Sequence, residues 1–186
     1  MQDEIPTALR QLWALAGSDP LDAKNDWNEA FEPVGLILFA PPRNAGYWCT
    51  PVNSLSFATT GGDGVHYSLL ATEGGFTDLS PVVMTVPMCD TPNVIVGGNL
   101  KEFLALGCRF GYFSLEQLIY HPERTLAELE AQHFDPELRP VERALLQRIS
   151  AHFSVAPWSH PQHRLEELRS QHSGSIVLPP QGEHAA

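Results

Sequence analysis

The chain has 186 residues, 43% hydrophobic and 18% charged, which suits one folded domain, or a domain with an appendage, and excludes a disordered chain. Twenty-two acidic residues stand against eleven basic ones, a formal net charge of −11. That balance excludes a protein that grips nucleic acid over its whole surface, because phosphate binding needs a dense basic footprint.

Residues 1–33 read as acidic and helical. Ile5, Leu9, Leu12, Trp13 and Ala16 recur at helical spacing, with Pro6 in the first turn and a stop at Gly17-Ser18-Asp19-Pro20. A second short helix is predicted to carry Trp27, Ala30 and Phe31 as far as Pro33. Residues 34–98 are poor in charge and rich in glycine and β-branched residues, the composition of strands. Val34–Ala40 is a buried strand, Pro41–Asn53 a loop carrying Tyr47 and Trp48, and Leu55–Thr60 and Val65–Ala71 a hairpin around Gly61-Gly62-Asp63-Gly64. Pro81–Pro87 is apolar on both faces and reads as a central strand, and Asn93–Val96 as a short last one.

Asn99 and Glu102 have the spacing of a capping box and open a helix that Gly107 stops, with Leu100, Phe103 and Leu104 on its buried face. Residues 113–173 are charged and helical. Ser114 and Gln117 fit another capping box, Leu126, Leu129, His133 and Phe134 form one stripe, and Val141, Leu145, Leu146, Ile149 and Phe153 a second. A last helix beyond Pro161 holds Leu165 and Leu168, and Ile176-Val177-Leu178 is placed to tuck against the body. Strands this close together leave no room for helical crossovers, so the expected class is α+β, a mostly antiparallel twisted sheet flanked by helices with a C-terminal helical extension. The boundary is expected at 110, with residues 1–110 as the α+β domain and 111–186 as helices packed on it.

The N-terminal residues lack the basic and apolar regions of a secretory signal, and the longest apolar run, Val34–Ala40, is too short to cross a bilayer. Cys49, Cys89 and Cys108 are odd in number and widely spaced, which speaks against a disulfide framework or a zinc knuckle. A reducing cytoplasm is the expected location, with no membrane and no nucleic acid as partner.

No residue pattern requires a cofactor or a metal. His160 and His163 are divided by Pro161 and lack a nearby cysteine or carboxylate cluster. The glycine cluster at 61–64 lacks the lysine and following helix of a phosphate loop, so Asp63 reads as a turn former. Cys49 with His66 and Asn53 is the one arrangement that a thiol enzyme could use, provided that His66 reaches the sulfur and a cation or helix end lowers its pKa. Tyr47-Trp48, in a loop bounded by prolines, is either an exposed binding anchor or a pair of which one ring folds back over the sheet.

Phe57-Ala58-Thr59-Thr60-Gly61-Gly62-Asp63-Gly64-Val65-His66-Tyr67 resembles the glycine-rich hairpin of the SUKH superfamily. The segment Ser80-Pro81-Val82-Val83-Met84-Thr85-Val86-Pro87 is similar to the Pro-Val strand that follows there, and Gly97-Gly98-Asn99-Leu100-Lys101-Glu102-Phe103-Leu104 to the closing helix. The resemblance spans roughly residues 34–107, while Asp26-Trp27-Asn28-Glu29-Ala30-Phe31-Glu32-Pro33 departs from the family's usual N-terminal helix. It implies a twisted sheet flanked by helices and a non-catalytic protein-binding role, in many bacterial members as an immunity protein against a toxin. An acidic inhibitor suits a basic toxin, to which its charge would steer it. The expected contact residues are Asp26 and Glu29 on an acidic N-terminal helix, Tyr47 and Trp48 in the loop, and Asp63 and His66 at the hairpin, on a monomer or homodimer.

Overall fold

The computed structural model describes residues 5–17, 19, 26–131 and 133–180. Six strands pair antiparallel in the order in which they occur: β1 (Trp27–Phe31), β2 (Leu36–Arg43), β3 (Ser54–Thr59), β4 (His66–Leu70), β5 (Val82–Thr85) and β6 (Asn93–Gly97). The helices are α1 (Thr7–Leu15), α2 (Leu100–Gly107), α3 (Gln117–Tyr120), α4 (Pro122–Glu130), α5 (Pro140–Phe153) and α6 (Pro161–His172). The fold is α+β, with its C-terminal stretch helical.

Successive residues of a strand point to opposite faces, and this sheet uses its two faces differently. One carries Leu36, Leu38, Phe57, Tyr67, Leu69, Val82, Met84 and Val96 into the main core. Leu9, Leu12 and Trp13 of α1, Phe103 and Leu104 of α2, and Leu146, Ile149 and Phe153 of α5 join that cluster. The core is centred on Phe103, whose ring lies 4.7 Å from Tyr67, 5.1 Å from Tyr112 and 5.8 Å from Phe57. The Tyr67 hydroxyl donates to the Tyr112 carbonyl and the Tyr112 hydroxyl to the Leu104 carbonyl, so both buried phenols are satisfied. The other face is mixed: Leu70, Val83 and Ile95 meet Leu168 of α6, Trp27 and Phe39 face each other at its β1–β2 end, and the buried Ser56, Ser68, His66 and Thr85 between them are polar.

The C-terminal helices are tied to the body by specific groups. Asn99 caps α2 by accepting from the Glu102 amide at 2.9 Å. The Glu102 carboxylate reaches one residue beyond a capping box and accepts from the Gly98 amide at 2.6 Å. The same carboxylate takes both arms of Arg164 from α6, at 2.5 and 3.1 Å, and the Trp158 indole donates to the Glu102 carbonyl at 2.9 Å. The tail is pinned too. Asn53 donates to the Ser175 carbonyl and accepts from the Val177 amide, the Val52 amide donates to the Val177 carbonyl, and Ile176 packs on the Leu168 cluster.

Several expectations are corrected. Trp27–Phe31 is an edge strand and not a helix: Trp27 pairs with Phe39 across β2, and a 3₁₀ turn at Glu32–Val34 holds Pro33. Asp26 and Glu29 therefore lie on a bend and a strand, both exposed, and not on an acidic helix. The Ser114/Gln117 box does not form, because a 3₁₀ helix over Phe113–Glu116 runs straight into α3. α4 ends at Glu130, so His133 leaves its stripe and is exposed, and Val141 in the first turn of α5 is 51% exposed. Pro6 is the N-cap of α1 and not a first-turn residue. Ser18 and Pro20 of the expected stop lie outside the described residues.

If α5 belongs to the core through Leu146 and not Val141, the two truncations separate in urea unfolding. Leu146→Ala is expected to cost about 2–5 kcal/mol, and Val141→Ala to stay within about 0.5 kcal/mol.

Candidate binding site

The hairpin between β3 and β4 is closed by the Thr60 amide donating to Val65 at 3.1 Å and the Val65 amide to Gly62 at 3.0 Å. Gly61, Asp63 and Gly64 all have positive φ, of 85°, 48° and 72°, which explains a run of glycines with one aspartate among them. Asp63 contributes its backbone to the turn, while the hydroxyls of Thr59 and Thr60 accept from the Gly61 and Gly62 amides. Gly64 has a second reason to be glycine. A Cβ there would stand 2.7 Å from the Tyr47 ring, so its absence lets that ring lie against the turn.

His66, the first residue of β4, is buried on the polar face. Its Nδ1 lies 2.7 Å from the Gly64 carbonyl, which can only accept, so Nδ1 carries the proton. Its Nε2 is then the acceptor for the Thr50 hydroxyl at 3.0 Å, and Thr50 Oγ1 in turn accepts from the Tyr47 amide at 3.1 Å. The Tyr47 ring stacks on the imidazole at 5.4 Å and 19°. Burial holds the His66 pKa below its usual value of 6.5, against the opposing hydrogen bond to Gly64.

Beside this pair stands a second aromatic group. Trp27 and Phe39 face each other across β1 and β2 with ring centres 5.2 Å apart. The Arg43 guanidinium lies over both, 5.1 Å from Trp27 and 4.9 Å from Phe39. Its place follows from a bulge: β2 runs from Leu38 to Arg43 while β3 runs only from Ala58 to Ser56, with Pro41 and Pro42, which have no amide hydrogen to give the ladder, in the extra stretch. Trp27, Phe39, Arg43, Tyr47, Gly64 and His66 line a pocket of about 160 Å³.

A larger pocket of about 500 Å³ lies between Phe110, Phe113 and α5, and in it Arg139 is paired with Glu142 at 2.6 Å. Among the described residues no group of three or more His, Cys, Asp or Glu is placed to hold a metal ion, and no helix is long and apolar enough to cross a membrane.

The structure brings Tyr47 and His66 together and sets Trp48 beside them, 51% exposed. Asp63 is exposed at the hairpin tip, and Asp26 and Glu29 are exposed at the β1 edge. Tyr47 folds over His66, as one reading of the loop expected, and Trp48 is exposed to solvent. Sequence reasoning missed Trp27, Phe39 and Arg43 as site residues. One signal was available, since Arg43 is the single Lys or Arg between Lys24 and Lys101.

Cys49 is fully buried, and burial pushes its thiol pKa up. His66 has both ring nitrogens engaged by Thr50 and Gly64, which leaves neither for the sulfur. Asn53 is occupied with the tail. A nucleophilic thiol needs the opposite, a depressed pKa and a free base. No protein-family model matches this chain, and no curated protein matches it.

Because the folded chain keeps His66 neutral, the unfolded chain binds the proton first as pH falls. Stability is therefore expected to be flat from about pH 8 to 7 and to decline below about pH 6.5, in urea midpoints read by circular dichroism. His66→Gln is expected to be less stable at neutral pH, by about 1–3 kcal/mol from the orphaned Gly64 and Thr50 groups, with a shallower acid decline. Some decline persists, because burial also lowers the pKa of His172.

Proposed function

We propose that this chain is a non-catalytic protein-binding domain whose contact surface is built around Trp27, Tyr47 and Trp48, flanked by Asp26, Glu29 and Asp63. The observation that carries the reading is the exposure of those three aromatic side chains, 47%, 43% and 51%, on one sheet edge and its neighbouring loop. Large aromatic groups on a loop that is itself hydrogen-bonded in place supply apolar contact area at little ordering cost, which is how anchors of protein interfaces work. Hydrogen bonds from Asn44, Ala45, Tyr47 and Thr50 hold the loop's backbone in place, which keeps its aromatic side chains presented.

The finer reading follows the SUKH resemblance and the net charge of −11. In it the partner is a basic toxin, the chain is an immunity protein in a bacterial cytoplasm, and the surplus of carboxylates raises the rate of encounter. The opposing reading, an enzyme built on Cys49 and His66, is disfavoured by the buried thiol and the occupied imidazole.

The test is retention of proteins from an extract of the source cells on the immobilised chain, compared with Trp48→Ser. One specific partner is expected to be held by the unaltered chain and to bind the variant roughly 30-fold more weakly, about 2 kcal/mol, with the circular dichroism spectrum unchanged. The same retained set on both chains would remove this surface from consideration.

A further inference from the structure

Arg43, Arg109 and Arg143 each lie over aromatic rings, and of the three it is Arg43 that lines the pocket of about 160 Å³. Arg124, Arg139 and Arg164 are matched by carboxylates, and Arg10 and Arg148 donate to backbone carbonyls. Arg43 is half-buried against two rings, and among the described residues no carboxylate or carbonyl accepts from its guanidinium. Rings on a guanidinium face leave its in-plane N–H donors available, and those donors match a carboxylate geometrically. The Tyr47 hydroxyl, on the same pocket, likewise donates to nothing among the described residues.

The pocket's size and walls narrow the ligand. About 160 Å³ is well below the roughly 300–1,000 Å³ of drug-sized sites, so it holds a single small group and not a nucleotide. Its walls are Trp27 and Phe39 from one pair of rings and Tyr47 and His66 from the other, surfaces that favour a flat apolar group. One arginine in a chain of charge −11 balances one negative charge, which fits a carboxylate better than a phosphate dianion.

We propose that this pocket binds a flat apolar group bearing one carboxylate, with the ring between the two aromatic pairs and the carboxylate on Arg43 and the Tyr47 hydroxyl. The inference rests on the binding role argued above and names the chemistry that the pocket reads. Two sources share that chemistry: a free aryl carboxylate, and the C-terminal aromatic residue of a partner chain.

The experiment titrates the unaltered protein with benzoate, with its neutral isostere benzamide, and with the peptide Gly-Gly-Ser-Phe as free acid and as amide. It follows the Trp27 indole and Gly64 amide resonances by NMR. Benzoate and the peptide acid are expected to shift those resonances saturably and at least about tenfold more tightly than their neutral counterparts. Arg43→Gln is expected to abolish the preference for the charged form while weak ring binding persists. Tighter binding of the peptide acid assigns the site to a chain terminus, and tighter binding of benzoate to a free small acid. Equal binding of acid and amide forms, or no shift at Trp27 with any probe, overturns the proposal. Either result leaves the Trp48 surface standing, because that surface is read separately by retention of a protein partner.

Discussion

The middle of the sheet's second face, with Ser56, His66, Ser68 and Thr85, is polar and buried at once, and this constraint shapes the site. Polar groups removed from water must be hydrogen-bonded, or each costs about 1–3 kcal/mol. Here the segment 44–53 meets that demand by closing over them. The Ala45 amide donates to Ser56, which bonds Ser68 at 2.7 Å. Ser54 donates to the Pro51 carbonyl, Thr50 bonds His66, and Asn93, held by Thr85, donates to the Cys49 carbonyl. Four residues of that loop, Ala45, Cys49, Thr50 and Pro51, are thus held by directional bonds to β3, β4 and β6. An apolar roof would tolerate sliding, because burial has no preferred direction, whereas a hydrogen-bonded one fixes where Tyr47 and Trp48 emerge.

The sheet edge adds the second half of the site. β1 is short, half its length is irregular against β2 between Asn28 and Phe31, and Glu29 is exposed on it. Those features blunt an edge that would otherwise invite another strand. They leave Trp27 fixed through its cross-strand partner Phe39, and the proline-bearing bulge then returns Arg43 over both rings. The two halves meet at Gly64, where the missing side chain lets the Tyr47 ring lie on the hairpin.

Much of the fold was legible because local chemistry and tertiary packing agree there. The glycine-rich hairpin, the apolar Pro81–Pro87 strand paired on both sides, and the Asn99 cap are all local signals, and all form. The segment 27–31 was not legible. Five residues satisfy either period, and what decides between them is Phe39, twelve residues away across a turn. Ser114 and Gln117 have cap spacing, yet Phe113 sits against Gly35, where any side chain would collide with its backbone, and that approach fixes a 3₁₀ turn instead. In the site, the sequence set His66 beside Cys49, but the neighbour that matters is Thr50, and only loop closure reveals that. Asn53, placed by sequence near a possible thiol site, holds a tail more than a hundred residues distant.

The charge of −11 and the cation at Arg43 act over different distances. Exposed charges are screened over a Debye length of about 8 Å at physiological salt, so an approaching partner senses the sum of many carboxylates before it senses any one residue. At contact the order reverses, since Arg43 is half-buried between rings and a group seated on it meets a guanidinium in reduced dielectric. A free small acid would approach against the field of the whole chain and be held only by local fit. A basic protein ending in an aromatic residue would be drawn in by the field and then seated by its carboxylate. The long-range and short-range electrostatics of this chain therefore cooperate for a partner that is cationic as a whole and anionic at one apolar tip, and they oppose each other for the isolated acid.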